Sequence, residues 1–387
     1  MTDRLYYTDS YATTFNAAIV ERAPDGRRVV LDRSAFYPTS GGQPHDTGFL
    51  GDAAVVDVID EGERVTHVLG QALAAGPGDR VTGHVDWDRR FHHMQQHTGQ
   101  HLLSALIEAR FGWATVSVAF GDDGNTLDLD CPAVTPADLA RIEREANRLL
   151  AEDRPVTVSF EDAATAAGLR KATDRTGELR IVTIADLDRS ACGGTHVRRT
   201  GEIGVILLRG VERMKGRVRL EFRCGLRAVE RARRDQLALA RLGAALSAGA
   251  DDVAPLVEAK LAELKAMAGE RKRLAEELAA FRVRALWDAA TPGEDGVRRL
   301  VAEAATAEEL RLLGQAASAL PATLFVGTAG QPPTALVAAS ADSGIDAAAR
   351  LKPALVSAGG RGGGSPRLAQ GSVPDADALA RVRSALA

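Results

Sequence analysis

The chain has 387 residues, which predicts two or three domains, and its 45% hydrophobic and 26% charged residues form an ordinary globular mixture. A formal net charge of −4 excludes a protein that is basic over its whole surface, but a local basic stripe is still sufficient to bind nucleic acid. The polar start Met1-Thr-Asp-Arg and the lack of any long apolar run predict neither a signal peptide nor a membrane span. Three widely spaced cysteines (Cys131, Cys192 and Cys224) fit a reducing cytoplasm better than a disulfide framework.

Residues 1–88 read as β-rich. Short β-branched runs at 29–31, 54–58 and 66–69 are separated by Gly and Asp, which predicts a small barrel. Between them lies the turn-forming segment Phe36-Tyr37-Pro38-Thr39-Ser40-Gly41-Gly42-Gln43-Pro44. From about 89 to 110 apolar and histidine positions recur at helical steps, and Gly112 marks the stop. Alternation at 115–120 and 126–130 around the turn residues 121–125 predicts a hairpin. Residues 136–151 form an amphipathic helix with Pro136 in its first turn, and 179–184 a strand. A second hairpin is expected from 204–208 and 217–222. Helices mixed with antiparallel strands make 89–225 an α/β sandwich of the α+β class.

Residues 226–290 read as a helical linker, broken into two helices by the Gly249 stretch and Pro255. Val257, Leu264, Met267, Leu274, Leu278 and Phe281 keep an a/d-like rhythm. That rhythm suits either a helical hairpin within the chain or a homodimeric coiled coil, and the C-terminal domain is the other surface expected to pair two copies. Residues 291–387 read as a small α/β domain: helix 307–319, strands 322–327 and 334–340, helix 345–357, a glycine loop at 359–364 and helix 375–386.

Two short motifs carry chemistry. His97-Thr-Gly-Gln-His101 puts two imidazoles one helical turn apart on the same face, a spacing that suits two ligands of one metal or two ordinary histidines. No Glu follows His97, so this is not the H-E-x-x-H metalloprotease pattern. Cys192-Gly-Gly-Thr-His196 offers a thiolate and an imidazole from a tight turn. It fits a metal loop, a buried structural cysteine or a Cys–His nucleophile. Together the motifs supply four zinc donors within one predicted domain. His92 and His93 fall on other faces of the same helix and are read as solvated or as phosphate contacts.

With their surroundings, these motifs resemble the editing domain of alanyl-tRNA synthetase, and still more its free-standing relatives, the AlaX trans-editing factors. The resemblance is carried by His97-Thr-Gly-Gln-His101-Leu-Leu-Ser, by Ser190-Ala-Cys192-Gly-Gly-Thr-His196-Val and by Thr200-Gly-Glu-Ile-Gly204. The segment 36–48 looks like the glycine-rich motif of that family, and 212–225 like the end of its editing domain. Residues 359–370 look like the DHH-associated domain that ends alanyl-tRNA synthetases. Ser365-Pro366 follows its glycines where a metal-dependent phosphoesterase carries histidine, so the segment is read as an RNA-facing surface.

The resemblance implies one Zn²⁺ per chain, held by His97, His101, Cys192 and His196. Catalytic zinc keeps an open position, so either one donor, His196 or Cys192, binds loosely or substrate expands the coordination. It implies a cytoplasmic, zinc-dependent hydrolase of the long AlaX form that deacylates tRNA(Ala) wrongly charged with serine, or with glycine. No amino-acid-activating domain is expected in the 88 residues ahead of the editing part. Gln43 is the expected catalytic polar group, beside the substrate or the zinc water, and Thr39 or Thr98 the expected hydroxyl for selectivity against alanine. The rival readings are a zinc-stabilised tRNA-binding protein without turnover and a zinc hydrolase of small molecules. For tRNA, the ten Lys and Arg between Arg209 and Arg234 form the densest basic stretch. Within it, Arg213, Lys215, Arg217 and Arg219 are expected to contact phosphates, the last three from one exposed strand face. Lys352, Arg361, Gly362, Gly363, Gly364 and Arg367 form a second expected contact.

Overall fold

A computed structural model describes residues 1–121, 124–174 and 176–386. The described chain forms two compact units, Met1–Arg241 and Leu242–Ala387.

The first unit opens with a closed barrel of six antiparallel strands, as the β-branched runs predict. In chain order these are β1 (Thr14–Arg22), β2 (Arg28–Leu31), β3 (Gly48–Leu50), β4 (Ala53–Asp60), β5 (Val65–Leu69) and β6 (Arg80–Val85); around the barrel the order is β1-β2-β5-β4-β3-β6. Alternate residues point inward, so Phe15, Ile19, Val29, Leu31, Val55, Val58 and Leu69 share one core.

Helix α1 (Trp87–Phe111) follows at once. Asp86 caps its first turn by accepting from the Arg89 N–H, and Gly112 ends it at a φ of 69°. A buried ion pair ties it to the barrel: Arg90 Nε donates to both carboxylate oxygens of Asp46 at 3.0 Å, and both side chains are fully buried. Arg90 also donates to the carbonyls of Ser10 and Ala35, so each of its three nitrogens has a partner. From Met94 to Ile107 every residue of α1 is buried, the polar ones included. Gln96 takes the N–H and C=O of Cys224, and Gln95 donates to the Glu202 carbonyl, while Gln95 Oε1 is buried without a partner among the described residues.

Two antiparallel sheets share the core with α1. The first contains β7 (Thr115–Phe120), β8 (Asn125–Leu129), β12 (Ile206–Met214) and β13 (Arg217–Cys224), in the order β12-β13-β8-β7. The second contains β9 (Val156–Asp162), β10 (Glu178–Ile184) and β11 (Asp188–Ala191) in that order. The predicted hairpin 115–130 is formed by β7 and β8; Asp122 and Asp123 of its turn lie outside the described residues. Helix α2 (Pro136–Ala151) starts with a reciprocal capping box between Thr135 and Asp138 and buries Ile142, Ala146 and Leu150 against Leu103 and Ile107 of α1. Helix α3 (Gly225–Leu246) follows β13.

In the second unit, α4 (Val253–Ala289) is one helix of 37 residues. The break before it lies at the Gly249 stretch, whereas Pro255 sits in its first turn, where a missing N–H costs nothing. Near its end Ala279 and Val283 pack on Leu300, Leu310, Leu313 and Phe325. The a/d-like row Val257, Leu264, Met267, Leu274, Leu278 and Phe281 is exposed. A five-stranded sheet runs β14-β15-β16-β18-β17, built from β14 (Arg298–Ala304), β15 (Thr323–Gly330), β16 (Pro333–Ala339), β17 (Arg361–Ser365) and β18 (Leu368–Ser372). Only β14 and β15 are parallel. Helices α5 (Ala307–Ser318), α6 (Ala347–Ser357) and α7 (Ala376–Leu386) complete the α/β unit.

The expected glycine loop is corrected here, because residues 361–365 form the edge strand β17. Its glycines have a packing reason: a Cβ at Gly362 would meet Gly371 Cα at 2.4 Å, and one at Gly364 would meet the Leu368 carbonyl at 2.3 Å. No helix of the described residues is long and apolar enough to cross a membrane.

Candidate metal centre and active site

The helix α1 and the loop after β11 bring four donors together. His97 and His101 come from one face of α1, and Cys192 and His196 from the turn that leaves the second sheet. Their ligand atoms all lie within 4.8 Å of one another. Cys192 Sγ is 3.4 Å from both His97 Nε2 and His196 Nε2. Ligands of a tetrahedral zinc ion stand about 3.5 Å apart for usual Zn–N and Zn–S bonds, so the spacing fits. Gly194 allows this approach, since a Cβ there would meet His97 Cε1 at 2.2 Å.

Each imidazole is held from behind at Nδ1. Gln43 Oε1 lies 2.8 Å from His97 Nδ1, Asp188 Oδ2 lies 2.8 Å from His101 Nδ1, and Thr98 Oγ1 lies 3.1 Å from His196 Nδ1. Protons on the three Nδ1 atoms leave the three Nε2 lone pairs for the centre, the arrangement that outer partners impose on metal-ligating histidines. The partners are themselves fixed. Gln43 Oε1 also accepts from the Thr195 N–H at 3.2 Å, and Gln43 Nε2 donates to Thr195 Oγ1 at 2.8 Å. Arg170 Nε donates to Asp188 at 2.6 Å, and Ser190 Oγ donates to the same carboxylate.

The electrostatics favour a thiolate. Burial raises the Cys192 thiol, but His97, His196 and His101 outweigh it and hold the thiol well below its ordinary value. Burial lowers His101, yet in the absence of metal Cys192 and Asp188 overcome this and push it up to about 9, so a bound metal would displace the proton from its Nε2. Burial drives His196 down to about 3. One thiolate and three imidazoles, with no hard oxygen donor among them, are a set that zinc prefers.

Gln43 thus stands behind His97, with both ends of its amide spent on His97 and the Thr195 turn. Thr98 is fully buried and spends its hydroxyl on His196 and the Val197 N–H. Thr39 is exposed and bonded to His45 rather than to the centre. Asp188 was not expected as a site residue. It lies four residues before Cys192, but an isolated Asp among many gives no sequence signal until the strand register puts it behind His101.

The basic stretch is divided. Arg213, Lys215 and Arg217 are exposed at the β12–β13 end, with Lys215 in the turn itself. The expected common strand face of Lys215, Arg217 and Arg219 is therefore corrected to Arg217 and Arg219 alone. Arg219 is also tied to Asp128 by two bonds of 2.7 and 2.9 Å, because Asp128 stands opposite it in register. Arg209 and Arg231 share Asp235. In the second unit Lys352, Arg361 and Gly362 to Gly364 are exposed, and Arg367 donates to the Ser318 carbonyl at 2.8 Å.

Known proteins share these stretches of sequence. Residues 179–221, which contain Cys192 and His196, match the model of the threonyl and alanyl tRNA synthetase second additional domain; residues 9–89, the barrel, match that of class II (A) tRNA synthetases. The chain is 38% identical over 222 residues to the alanyl-tRNA editing protein AlaX-M of Methanosarcina acetivorans, covering 52% of this chain and 90% of that protein. The chain belongs to the alanyl-tRNA editing (AlaX) family. It is also 36% identical over 244 residues to AlaX-L of Pyrococcus horikoshii, over 60% of each protein. A further relative, the alanine–tRNA ligase of Methanoregula boonei, is 32% identical over 98% of this chain and 42% of its own length. AlaX-M excepted, the chain spans less than two thirds of the length of these relatives.

Proposed function

We propose that the protein hydrolyses the ester of tRNA(Ala) charged with serine, and with glycine, and that one Zn²⁺ held by His97, His101, Cys192 and His196 serves this reaction. The observation that carries the reading is the four-donor cluster with each imidazole locked at Nδ1, in a chain whose relatives are named for alanyl-tRNA editing. On this reading residues 1–88 are the glycine-rich-motif barrel, 89–225 the zinc editing domain, 226–290 a helical linker, and 291–387 a DHH-associated RNA-binding domain. Work on tRNA places it in the cytoplasm.

Bound zinc would supply a Lewis acid for the ester carbonyl and lower the pKa of a water molecule. The chain's own residues prepare that site. Gln43 and Thr98 are positioning residues: they fix the tautomers of His97 and His196, and Gln43 also pins the Thr195 turn that carries His196. Asp188 does the same for His101 and adds negative charge behind it. Cys192, half-buried beside a cavity, is the donor best placed to yield a position, since a catalytic metal site needs an open one. Burial of the centre excludes bulk water and strengthens each of these interactions. Arg213, Lys215 and Arg217 take acceptor-stem phosphates, with Arg219 contributing less because Asp128 neutralises it. Lys352, Arg361 and the exposed strand of Gly362 to Gly364, with Arg367, give a second RNA contact. Thr39, exposed in the glycine-rich segment, meets the amino acid only if that segment closes.

The test is single-turnover deacylation of tRNA(Ala) charged with serine, glycine or alanine. Release of serine faster than alanine, lost in Cys192→Ala, supports the reading. Tight tRNA binding without release would leave the zinc-stabilised binding protein in its place.

A further inference from the structure

From the metal donor Cys192, the second sheet carries a row through two further residues that the centre does not use. Phe160 of β9 stands opposite Arg180 of β10 in the antiparallel register. On the other side of β10, the Cys192 N–H donates to the Arg180 carbonyl at 3.0 Å, one step beyond the Ile181–Ala191 pair. Residues directly opposite one another present their side chains on the same face. Strands stand about 4.8 Å apart, so the row extends about 10 Å from the metal donor to the edge strand.

A cavity of about 410 Å³ lies along the row, lined by Tyr7, Phe160, Glu178, Arg180, Cys192 and Gly193 among others. Phe160 is 42% exposed, an unusual state for a phenyl ring on an edge strand, where it invites unwanted pairing. Arg180 is the opposite case. It is 8% exposed, its Nε donates to the Tyr7 carbonyl at 2.9 Å and its Nη1 to the Cys192 carbonyl at 2.6 Å. Its Nη2 is buried and has no partner. A buried guanidinium N–H without an acceptor is costly, and Arg180 lines the same cavity as the exposed Phe160 and the donor Cys192.

We propose that the Cys192–Arg180–Phe160 row seats the 3′-terminal nucleotide of the charged tRNA. The base stacks on Phe160, a sugar–phosphate oxygen accepts from Arg180 Nη2, and the ester falls at the Cys192 end. Exposed Glu178 at the rim accepts from a ribose hydroxyl. Stacking on an aromatic ring with a nearby guanidinium is how proteins hold unpaired bases without reading a duplex. The proposal rests on the tRNA-ester reading above and gives it a binding subsite.

The test uses the zinc-loaded full chain and 5′-AMP as the probe, with binding followed by NMR chemical shifts. Phe160→Ala should weaken AMP binding roughly 5- to 150-fold, the range for loss of one stacked base, and Phe160→Trp should retain it. Adenosine should bind wild type more weakly than AMP, and Arg180→Gln should remove that difference. Phe160→Ala should also raise KM for charged tRNA while zinc stays at one per chain. Arg180 has structural bonds, so if its variant fails to fold, the exposed Phe160 carries the test alone. AMP affinity within twofold of wild type in Phe160→Ala would overturn the subsite. If wild type deacylates tRNA but AMP ignores Phe160, the subsite fails and the editing reading stands. AMP held through Phe160 in a chain that releases no amino acid gives the reverse.

Discussion

Asp188 receives His101 Nδ1 on one carboxylate oxygen at 2.8 Å and Arg170 on the other at 2.6 Å, so one fully buried side chain links a metal donor to a cation outside the centre. Removing its charge while keeping its shape should loosen the metal without unfolding the chain. Asp188→Asn is expected to lower zinc affinity about 10- to 100-fold, as loss of an outer carboxylate does elsewhere. Competition with a zinc-binding dye measures this, and unchanged affinity would mean that Asp188 serves the fold only.

Gly194 should be nearly as sensitive as a ligand. A methyl group there meets His97 Cε1 at 2.2 Å and Gln43 Oε1 at 3.1 Å, and neither can retreat without leaving the centre. Gly194→Ala is therefore expected to lose most bound zinc while far-ultraviolet circular dichroism stays native. Gly193→Ala is the control, because its added carbon comes no closer than 3.6 Å, to the Tyr7 hydroxyl.

The four donors were legible in the sequence because two i, i+4 motifs each announce themselves locally, and the barrel and α2 were legible from β-branched runs and from amphipathic spacing after Pro136. The rest depended on register. Asp188 behind His101, Asp128 opposite Arg219 and Phe160 opposite Arg180 are pairings between distant segments, and no local pattern reports them. The parallel strand β14 was missed because Arg298-Arg-Leu-Val alternates too briefly to register. The glycines at 362 and 364 looked like a loop, yet they are where two strands approach too closely for a Cβ.

The Arg90–Asp46 pair should behave as a buried ion pair whose halves depend on each other. Arg90→Met leaves Asp46 charged, fully buried and short of its partner, and is expected to cost about 3–5 kcal/mol. Asp46→Asn combined with Arg90→Met should cost less than the two single changes added together, since no lone charge remains. Denaturant unfolding of the four proteins checks the cycle.

His67 gives the barrel a pH dependence of known sign. It is fully buried, with Ser34 Oγ 2.7 Å from Nε2, and burial pushes it from its ordinary 6.5 down to about 4. Between those values the unfolded chain binds a proton that the folded chain refuses. Stability from this group is therefore complete above about pH 6.5 and falls as pH drops toward 4, by about 3 kcal/mol in all. Urea unfolding of wild type should weaken between pH 7.5 and 5 by more than that of His67→Gln; equal losses would show that other groups control the acid limb.

The central claim is that the four-donor cluster is a zinc site that hydrolyses a wrong amino acid from tRNA(Ala). The most direct measurement pairs elemental analysis with deacylation of Ser-tRNA(Ala) by the same preparation, for wild type and for the His97→Ala, His101→Ala double variant. The account predicts one zinc and serine release from wild type, and neither from a double variant that is still folded by circular dichroism. Full zinc content or undiminished serine release in that folded variant would contradict it.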